Sequence, residues 1–218
     1  MGDDDKARDP APSRTPDVSA PSRAWQRMLS GRRLDLLDPN PDDIAIEDIA
    51  HGLARVARWN GQTVGPHAFS VAQHVVVVED IAGALHPEWS AQWRLAALLH
   101  DAAEYVIGDL IRPFKTAIGL DYKAFETRLS EAIHVRFGLE KTLPDAVSAG
   151  IKRADRIAAY YEATGLAGFE RGEALAFFGT PAAFDDALTQ RLLNLAPLPA
   201  LDAQQLFLER FGTLVRFA

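Results

Sequence analysis

The sequence predicts a single all-α domain, and three observations support this prediction. Apolar residues recur with the helical period in one segment after another, whereas the alternating pattern of strands is almost absent. At 218 residues and 48% hydrophobic, the chain can bury one sizeable core. No internal repeat divides it. We therefore expect a compact helical domain over residues 23–218, with room for a short strand or hairpin at 33–37.

The N-terminal segment differs in composition from the rest. Residues 1–22 are rich in Pro, Asp, Arg and Ser and contain almost no large apolar side chain. Such a segment cannot bury enough apolar surface to offset the entropy lost on ordering. We predict a flexible tail, with globular sequence from Trp25 onward.

The helices can be placed in order along the chain. The first follows Pro41, with a run of spaced apolar residues, and Asp42 and Asp43 are expected to cap its start. The second covers 69–84 and is apolar on nearly every side, which is typical of a buried helix. The third covers 90–105 and contains His100-Asp101 near its end. Further helices are predicted at 121–137, 145–165, 181–194 and 202–215.

Composition and charge exclude several classes of function. The chain has 23 basic and 30 acidic residues, and its basic residues form no stripe, which argues against binding to long nucleic acid. The absence of cysteine excludes disulfides, zinc–thiolate sites and thiol catalysis. The longest apolar stretches are shorter than the ~20 residues that span a bilayer, and the N-terminus has no apolar signal region. We expect a cytoplasmic protein without a membrane partner.

Four residues stand out as possible metal ligands. His100 and Asp101 are adjacent, and Glu104 follows at the helical spacing that places its carboxylate beside them. His74 lies in an almost wholly apolar helix, and Asp155 lies on the apolar face of another. Imidazole and carboxylate together suit a divalent cation.

Each ligand also has a structural alternative. His74 could be a core histidine bonded to a carbonyl group, and His100-Asp101 could cap a helix C-terminus. Asp155 could pair with a neighbouring arginine. These alternatives lose weight when the residues are taken together, because a single cation accounts for all of them.

In order and context, these residues resemble the HD-domain metal-dependent phosphohydrolases, which carry a His, a His-Asp pair and a distant Asp on helices. The likeness is closest to the bacterial HD-domain 5′-deoxynucleotidases and covers residues 50–165. It is carried by Arg58-Trp59, Val71-Ala72-Gln73-His74, His100-Asp101-Ala102-Ala103-Glu104, Gly108-Asp109-Leu110, Pro113, Lys115 and Ile151-Lys152-Arg153-Ala154-Asp155.

The resemblance implies a helical fold that binds one divalent ion through His74, His100, Asp101 and Asp155. It further implies that Glu104 orients or deprotonates a water molecule for attack on phosphorus. By the same likeness, the substrate is contacted by Arg58, Trp59 and Asp109, the last of these near the nucleotide sugar.

Two departures from the nucleotidases concern the substrate side. Those enzymes have Pro after Arg-Trp, whereas this chain has Asn60-Gly61, and the interval from His74 to His100 is shorter than in them. We therefore expect a trimmed substrate-facing loop. Only His134 lies between the His-Asp pair and Asp155, which favours one metal ion over two.

We predict a phosphomonoester hydrolase that acts on a small nucleotide. Two alternatives stay open: hydrolysis of a phosphoanhydride or signalling nucleotide, and a metal-stabilised helical binding module without turnover. The ligand set suits Mn, Fe, Co, Ni or Zn, and Mg less well. The apolar surplus of the C-terminal helices and the family likeness favour a homodimer.

Other polar residues receive weaker assignments. Arg112 and Lys115 could bind substrate phosphate or lie in a solvated loop. Lys152 and Arg153 precede Asp155 by three and two residues on the same helix, so their side chains point in different directions. We expect at most one of them to reach a bound substrate. The remaining histidines, His51, His67, His86 and His134, are expected in packing, loop or turn positions. Phe177, Phe178, Phe207, Phe211 and Phe217 are predicted to lie in the core or in a dimer interface.

Overall fold

The computed structural model describes residues 24–109 and 120–217. The predicted tail at 1–22 and the predicted substrate residue Lys115, together with Arg112, lie outside these ranges. Within them the chain forms nine α-helices and one two-stranded sheet, which confirms the all-α class. The helices are α1 (Ile46–Leu53), α2 (Val71–Leu85), α3 (Ala91–Leu98), α4 (Glu104–Ile107), α5 (Leu120–Arg136), α6 (Asp145–Gly165), α7 (Arg171–Phe178), α8 (Asp186–Leu193) and α9 (Ala200–Val215).

The sheet is an antiparallel hairpin near the start of the described chain. Strand β1 (Trp25–Arg27) pairs with β2 (Arg33–Asp35). The hairpin is attached to α1 by Asp48, whose buried carboxylate accepts hydrogen bonds from the backbone N–H of Ser30 at 2.9 Å and from its hydroxyl at 2.5 Å. The hairpin therefore covers one side of the helical core.

The start of α1 differs from the sequence prediction. Asp42 and Asp43 do not cap it, because they belong to a separate 3-10 turn at Pro41–Asp43 that the side chain of Asn40 caps. Ile44 then adopts an extended conformation, so α1 begins only at Ile46 and has no side-chain cap. The two aspartates therefore mark a short helical turn that precedes α1, and not the start of α1 itself.

Helix α2 lies at the centre of the fold and packs against α3, α6 and α9. Ser70 caps its N-terminus by accepting a hydrogen bond from the backbone N–H of Gln73. Ten of its fifteen residues are buried, as its apolar sequence predicted. The side chain of Gln73 also bonds Ala196 and Leu198 at 2.9 Å each, which holds the segment before α9 against α2.

The third predicted helix, 90–105, is in fact two helices joined by a turn. Helix α3 ends at Leu98, and α4 begins at Glu104. Between them the backbone makes the shorter i to i+3 hydrogen bonds, from Ala102 to Leu99 and from Glu104 to Asp101. His100 and Asp101 therefore lie in a tight turn and not on a continuous helix.

The C-terminal half follows the predictions closely, with one omission. Helix α6 has the predicted bounds and α9 starts two residues before the predicted 202, whereas α8 starts only at Asp186 and not at the predicted 181. Helix α7 was not predicted, although Glu170 and Glu173 form a reciprocal capping box at its start and Gly179 ends it. Of the aromatic residues assigned to packing, Phe207 is fully buried, whereas Phe177 and Phe217 are exposed.

The described helices differ in length and in apolar content, the two properties that decide whether a helix can cross a bilayer. None of them is both long enough and apolar enough to cross a membrane.

Candidate metal centre and adjoining cavity

Three predicted ligands meet at the centre of the fold. His74 extends from α2, and His100 and Asp101 extend from the turn between α3 and α4. One donor atom of each lies within 4.8 Å of the other two, and His74 is fully buried. This His74–His100–Asp101 group could hold a metal ion.

Asp155, the fourth predicted ligand, approaches from α6. Its Oδ1 lies 3.3 Å from Nε2 of His74, and Oδ2 of Asp101 lies 3.6 Å from the same nitrogen. Asp155 is not part of the set whose donors all lie within 4.8 Å of one another. It therefore borders the group on the side where α6 packs against α2.

Both imidazoles are oriented by a bond at Nδ1. Nδ1 of His100 lies 2.9 Å from the carbonyl oxygen of Ala97, and Nδ1 of His74 lies 2.5 Å from Oε1 of Glu162. The two Nε2 atoms are buried and form no hydrogen bond, although Oδ2 of Asp101 lies 3.2 Å from Nε2 of His100 and Oδ1 of Asp155 lies 3.3 Å from Nε2 of His74. Imidazoles that are oriented through Nδ1 and turn Nε2 toward carboxylate oxygens have the arrangement of metal ligands. The residues present therefore fit a cation.

Glu162 is the residue at the candidate site that sequence reasoning missed. It lies on α6, is fully buried, and contacts two of the predicted site residues besides His74. Its Oε2 accepts a hydrogen bond from the indole N–H of Trp59 at 2.9 Å and lies 3.3 Å from Nε of Arg58. The available signal was a glutamate two turns after Asp155 in an apolar stretch, where a carboxylate needs a partner.

Arg58 and Trp59 lie in a 3-10 turn, Arg58–Gly61, beside the donor group. The guanidinium of Arg58 is held between Asp109, at 3.1 Å, and Glu162. Trp59 has a φ of 56° and Asn60 a φ of 51°, a conformation that a bulky residue adopts only when its surroundings enforce it. The hydrogen bond to Glu162 and ring contacts with Phe169 and Phe178 provide that constraint for Trp59.

Neighbouring carboxylates raise the pKa of both histidines. Burial alone would lower the pKa of His74, and Arg58 acts in the same direction. The charge of Glu162 and the close approach of the Asp101 and Asp155 carboxylates to the ring outweigh both effects and raise the pKa of His74 well above its ordinary value. Burial would also lower the pKa of His100, but the pKa is raised because the charge of Asp101 outweighs burial. The surroundings thus favour positive charge at the imidazoles, whether carried by protons or by a cation.

The acidic groups respond in the opposite sense. Burial would raise the pKa of Asp101, of Asp155 and of Glu162, yet each pKa is lowered. The dominant lowering contribution comes from His100 for Asp101 and from His74 for the other two. For Glu162 the pKa falls to about 2. These carboxylates are therefore ionised at neutral pH, and Arg58 together with positive charge at the two imidazoles, from protons or from a bound cation, balances them.

A cavity of about 390 Å³ adjoins the donor group. His100, Asp101 and the buried residue Glu104 line it. Lys152 also lines it, whereas Arg153, the next residue on α6, does not. Side-chain hydroxyls from α5 and α6 contribute to the same wall, namely Thr127, Ser130 and Ser148. A cavity of about 480 Å³ between α6, α7 and α8 contains none of the predicted site residues.

The other histidines lie apart from the donor group. His67 is exposed, as predicted for a turn. His86 was expected in an exposed turn but is only partly exposed, because it stacks on Trp89 with ring centroids 4.4 Å apart. His134 lines the far side of the cavity, and its Nδ1 lies 3.3 Å from the carbonyl oxygen of Lys141.

A second buried carboxylate, Glu79, belongs to a separate charge cluster. It lies on α2 and forms ion pairs with Arg94 and Arg210. Its neighbour Asp80 also pairs with Arg210, at 2.7 Å. This cluster fastens α9 to α2 on a face of the helix remote from the donor group.

Comparison with known proteins relates the chain to two others over nearly their whole length. No family model matches the sequence. The chain is 53% identical over 195 residues to an uncharacterized protein of Rhodobacter capsulatus, RCAP_rcc00048, and the alignment covers 89% of this chain and 97% of that protein. It is 31% identical over 189 residues to the uncharacterized protein YfdR of Escherichia coli K12, with coverage of 86% and 94%. The chain therefore belongs to the protein family that includes YfdR and RCAP_rcc00048.

Proposed function

We propose that this protein is a metal-dependent phosphohydrolase of the HD-domain type, most closely a phosphomonoesterase that acts on a small nucleotide. One observation carries the proposal: the buried Nε2 atoms of His74 and His100, which form no hydrogen bond, converge with Asp101 beside a cavity that Glu104 also lines. The sequence order of His74, His100-Asp101 and Asp155 supports the HD-domain assignment.

The residues that would hold the ion are His74, His100, Asp101 and Asp155. Two imidazoles and two carboxylates suit Mn, Fe, Co, Ni or Zn better than Mg, which prefers oxygen ligands. Bound there, a divalent ion would offset the negative charge of a phosphate and lower the pKa of a water molecule. A bound cation would also offset the negative charge of Asp101 and Asp155, which opposes the approach of an anionic substrate.

Glu104 is the proposed general base. It shares a cavity wall with His100 and Asp101, so its carboxylate can take a proton from the water molecule that attacks phosphorus. The same carboxylate, once protonated, can return the proton to the leaving oxygen. Its place at the first residue of α4, directly after the His-Asp turn, fixes it relative to two of the proposed ligands.

Arg58, Trp59 and Asp109 are the proposed substrate-side residues. Arg58 supplies positive charge beside Glu162, and its pairing with Asp109 and Glu162 restricts its motion. The cavity volume falls within the range of small-ligand sites. Its wall carries the hydroxyl-bearing residues and Lys152, but also Glu104, Glu126 and Glu131, so an anionic substrate such as a sugar phosphate would depend on a bound cation.

The test combines metal analysis with a phosphatase screen. The purified protein is assayed for bound transition metals, then for phosphate release from ribo- and deoxyribonucleoside monophosphates with each added metal. We expect phosphate release that requires metal, is lost in His100→Ala, and persists in His67→Ala, a control that removes an exposed histidine. No phosphate from any nucleotide, with metal bound, would refute the proposal, and pyrophosphate as the product would identify a phosphoanhydride hydrolase.

A further inference from the structure

Glu162 joins two parts of the site that are distant in sequence. One oxygen of its carboxylate contacts the metal-side residue His74, and the other contacts Trp59 and Arg58. Three donors from α2 and from the turn at Arg58–Gly61 therefore converge on a single buried carboxylate on α6.

The contact with His74 determines which ring nitrogen faces the other donors. A ring N–H at Nδ1 donates to Oε1 of Glu162, so Nε2 is left to bind a cation beside Asp101 and Asp155. Outer partners of this kind fix the orientation of a ligating histidine and increase its basicity. Because His74 is fully buried, no water molecule can take over this contact without a rearrangement of α2 and α6.

The contact with Trp59 has a different consequence. The left-handed backbone at Trp59 costs energy, and the indole hydrogen bond to Glu162 is one of the interactions that maintain it. Arg58 is the preceding residue, and its guanidinium contacts the same carboxylate oxygen. Movement of Glu162 would therefore displace the metal side and the substrate side together.

We infer that Glu162 is a positioning residue that sets the metal affinity of His74 and holds Arg58 and Trp59 in register with it. The inference rests on the metal centre of the proposed function, but not on the reaction. Removing one acceptor should therefore weaken metal binding even where no substrate is present.

The decisive variant is Glu162→Gln, which keeps the shape of the side chain. An amide has one acceptor oxygen, so its NH₂ group must face either the N–H of His74 or the N–H groups of Trp59 and Arg58. We expect Zn²⁺ affinity, measured by competition with a chromogenic chelator, to fall about 10- to 100-fold. In the Zn²⁺-loaded wild type, NMR should show a slowly exchanging, far-downfield ring N–H of His74, and this signal should move upfield in the variant.

The matched control is Glu79→Gln. Glu79 is as fully buried as Glu162 and pairs with arginines, but it lies in the separate cluster between α2 and α9. This variant should lose stability yet keep the Zn²⁺ affinity and the His74 proton signal of the wild type. If Glu162→Gln does not fold, Glu162→Asp replaces it, because its shorter side chain cannot reach both sets of donors and the same loss is expected.

The outcomes separate this inference from the proposed function. Equal Zn²⁺ affinity in the wild type and the Glu162 variants would overturn the inference alone. A protein that binds Zn²⁺ in a Glu162-dependent manner but hydrolyses no nucleotide would support the inference and contradict the proposed function. A wild type without Zn²⁺ affinity would overturn the metal centre and, with it, the inference.

Discussion

Oδ1 of Asp155 lies 3.3 Å from Nε2 of His74, although the two residues belong to different helices, α6 and α2. The histidine is fully buried, whereas the carboxylate side chain is 34% exposed. Asp155 is thus the most exposed of the four predicted ligands, followed by Asp101 at 26%. Of the four, it also lies outside the group whose donor atoms are all close together.

Asp155→Asn should weaken metal binding because it removes a negative charge next to Nε2 of His74. Loss of a residue that only orients a ligand lowers metal affinity about 10- to 100-fold. We expect Asp155→Asn to lower the Zn²⁺ affinity at least as much. Asp145→Asn, at the exposed start of the same helix, is the control and should bind Zn²⁺ as the wild type does. Unchanged affinity in Asp155→Asn would remove Asp155 from the set of ligands.

Glu104→Gln should abolish hydrolysis while leaving the metal in place, because an amide cannot accept a proton. Loss of a general base predicts a decrease in kcat of about 10²- to 10⁴-fold. The control is Glu131→Gln, since Glu131 lines the same cavity but pairs with Lys141 at 2.9 Å. If metal content falls together with kcat, Glu104 is a ligand and not the base.

Lys152 and Arg153 offer a matched pair of exposed cations on α6. Only Lys152 lines the cavity beside the donor group, so Lys152→Ala should raise KM for an anionic substrate. Loss of a charge-assisted hydrogen bond of about 1.5 kcal/mol predicts a roughly tenfold increase. Arg153→Ala should leave KM unchanged, and a similar rise in both variants would indicate a general effect of surface charge.

Gly52 connects the packing of α1 to the position of Glu104. A Cβ atom at Gly52 would lie 2.7 Å from Cβ of Tyr105 and 3.0 Å from its carbonyl oxygen, so Gly52→Ala must displace α4. We expect a loss of about 1–3 kcal/mol in the free energy of unfolding, with a decrease in kcat because Glu104 precedes Tyr105.

Chemical denaturation and steady-state kinetics measure the two effects. The control is Gly212→Ala in α9, where a Cβ atom would have no heavy atom within 4 Å. That substitution should stabilise the protein by about 0.5–1 kcal/mol, because alanine loses less backbone entropy in a helix than glycine. Stabilisation by Gly52→Ala as well would mean that α1 and α4 separate without cost.

Helical periodicity and local caps account for the parts of the fold that the sequence predicted. Helix α6 is long and strongly patterned, and its bounds were predicted correctly. The end of α3 was not, because Leu99 leaves the helical conformation in a run of apolar residues that shows no glycine or proline. Local sequence preferences are weak there, and tertiary packing decides where the turn forms.

The candidate site was predictable only in part, for a related reason. His74, His100 and Asp101 could be selected by residue type and context, and the structure places their donor atoms together. Glu162 could not be assigned in this way, since its importance comes from contacts with residues far away in sequence. The local sequence around Glu162 does not distinguish it from another buried glutamate such as Glu79, which forms ion pairs away from the donor group.

The donor atoms come from three segments, namely α2, the turn after α3, and α6. In an unfolded chain these segments are far apart, so a divalent ion held by all three would bind the native state and have little affinity for the unfolded one. Mass action then adds about 2.7 kcal/mol to the folding free energy when the free ion is present at 100 times its Kd. A chelator that removed such an ion would take this contribution away and lower the midpoint of unfolding.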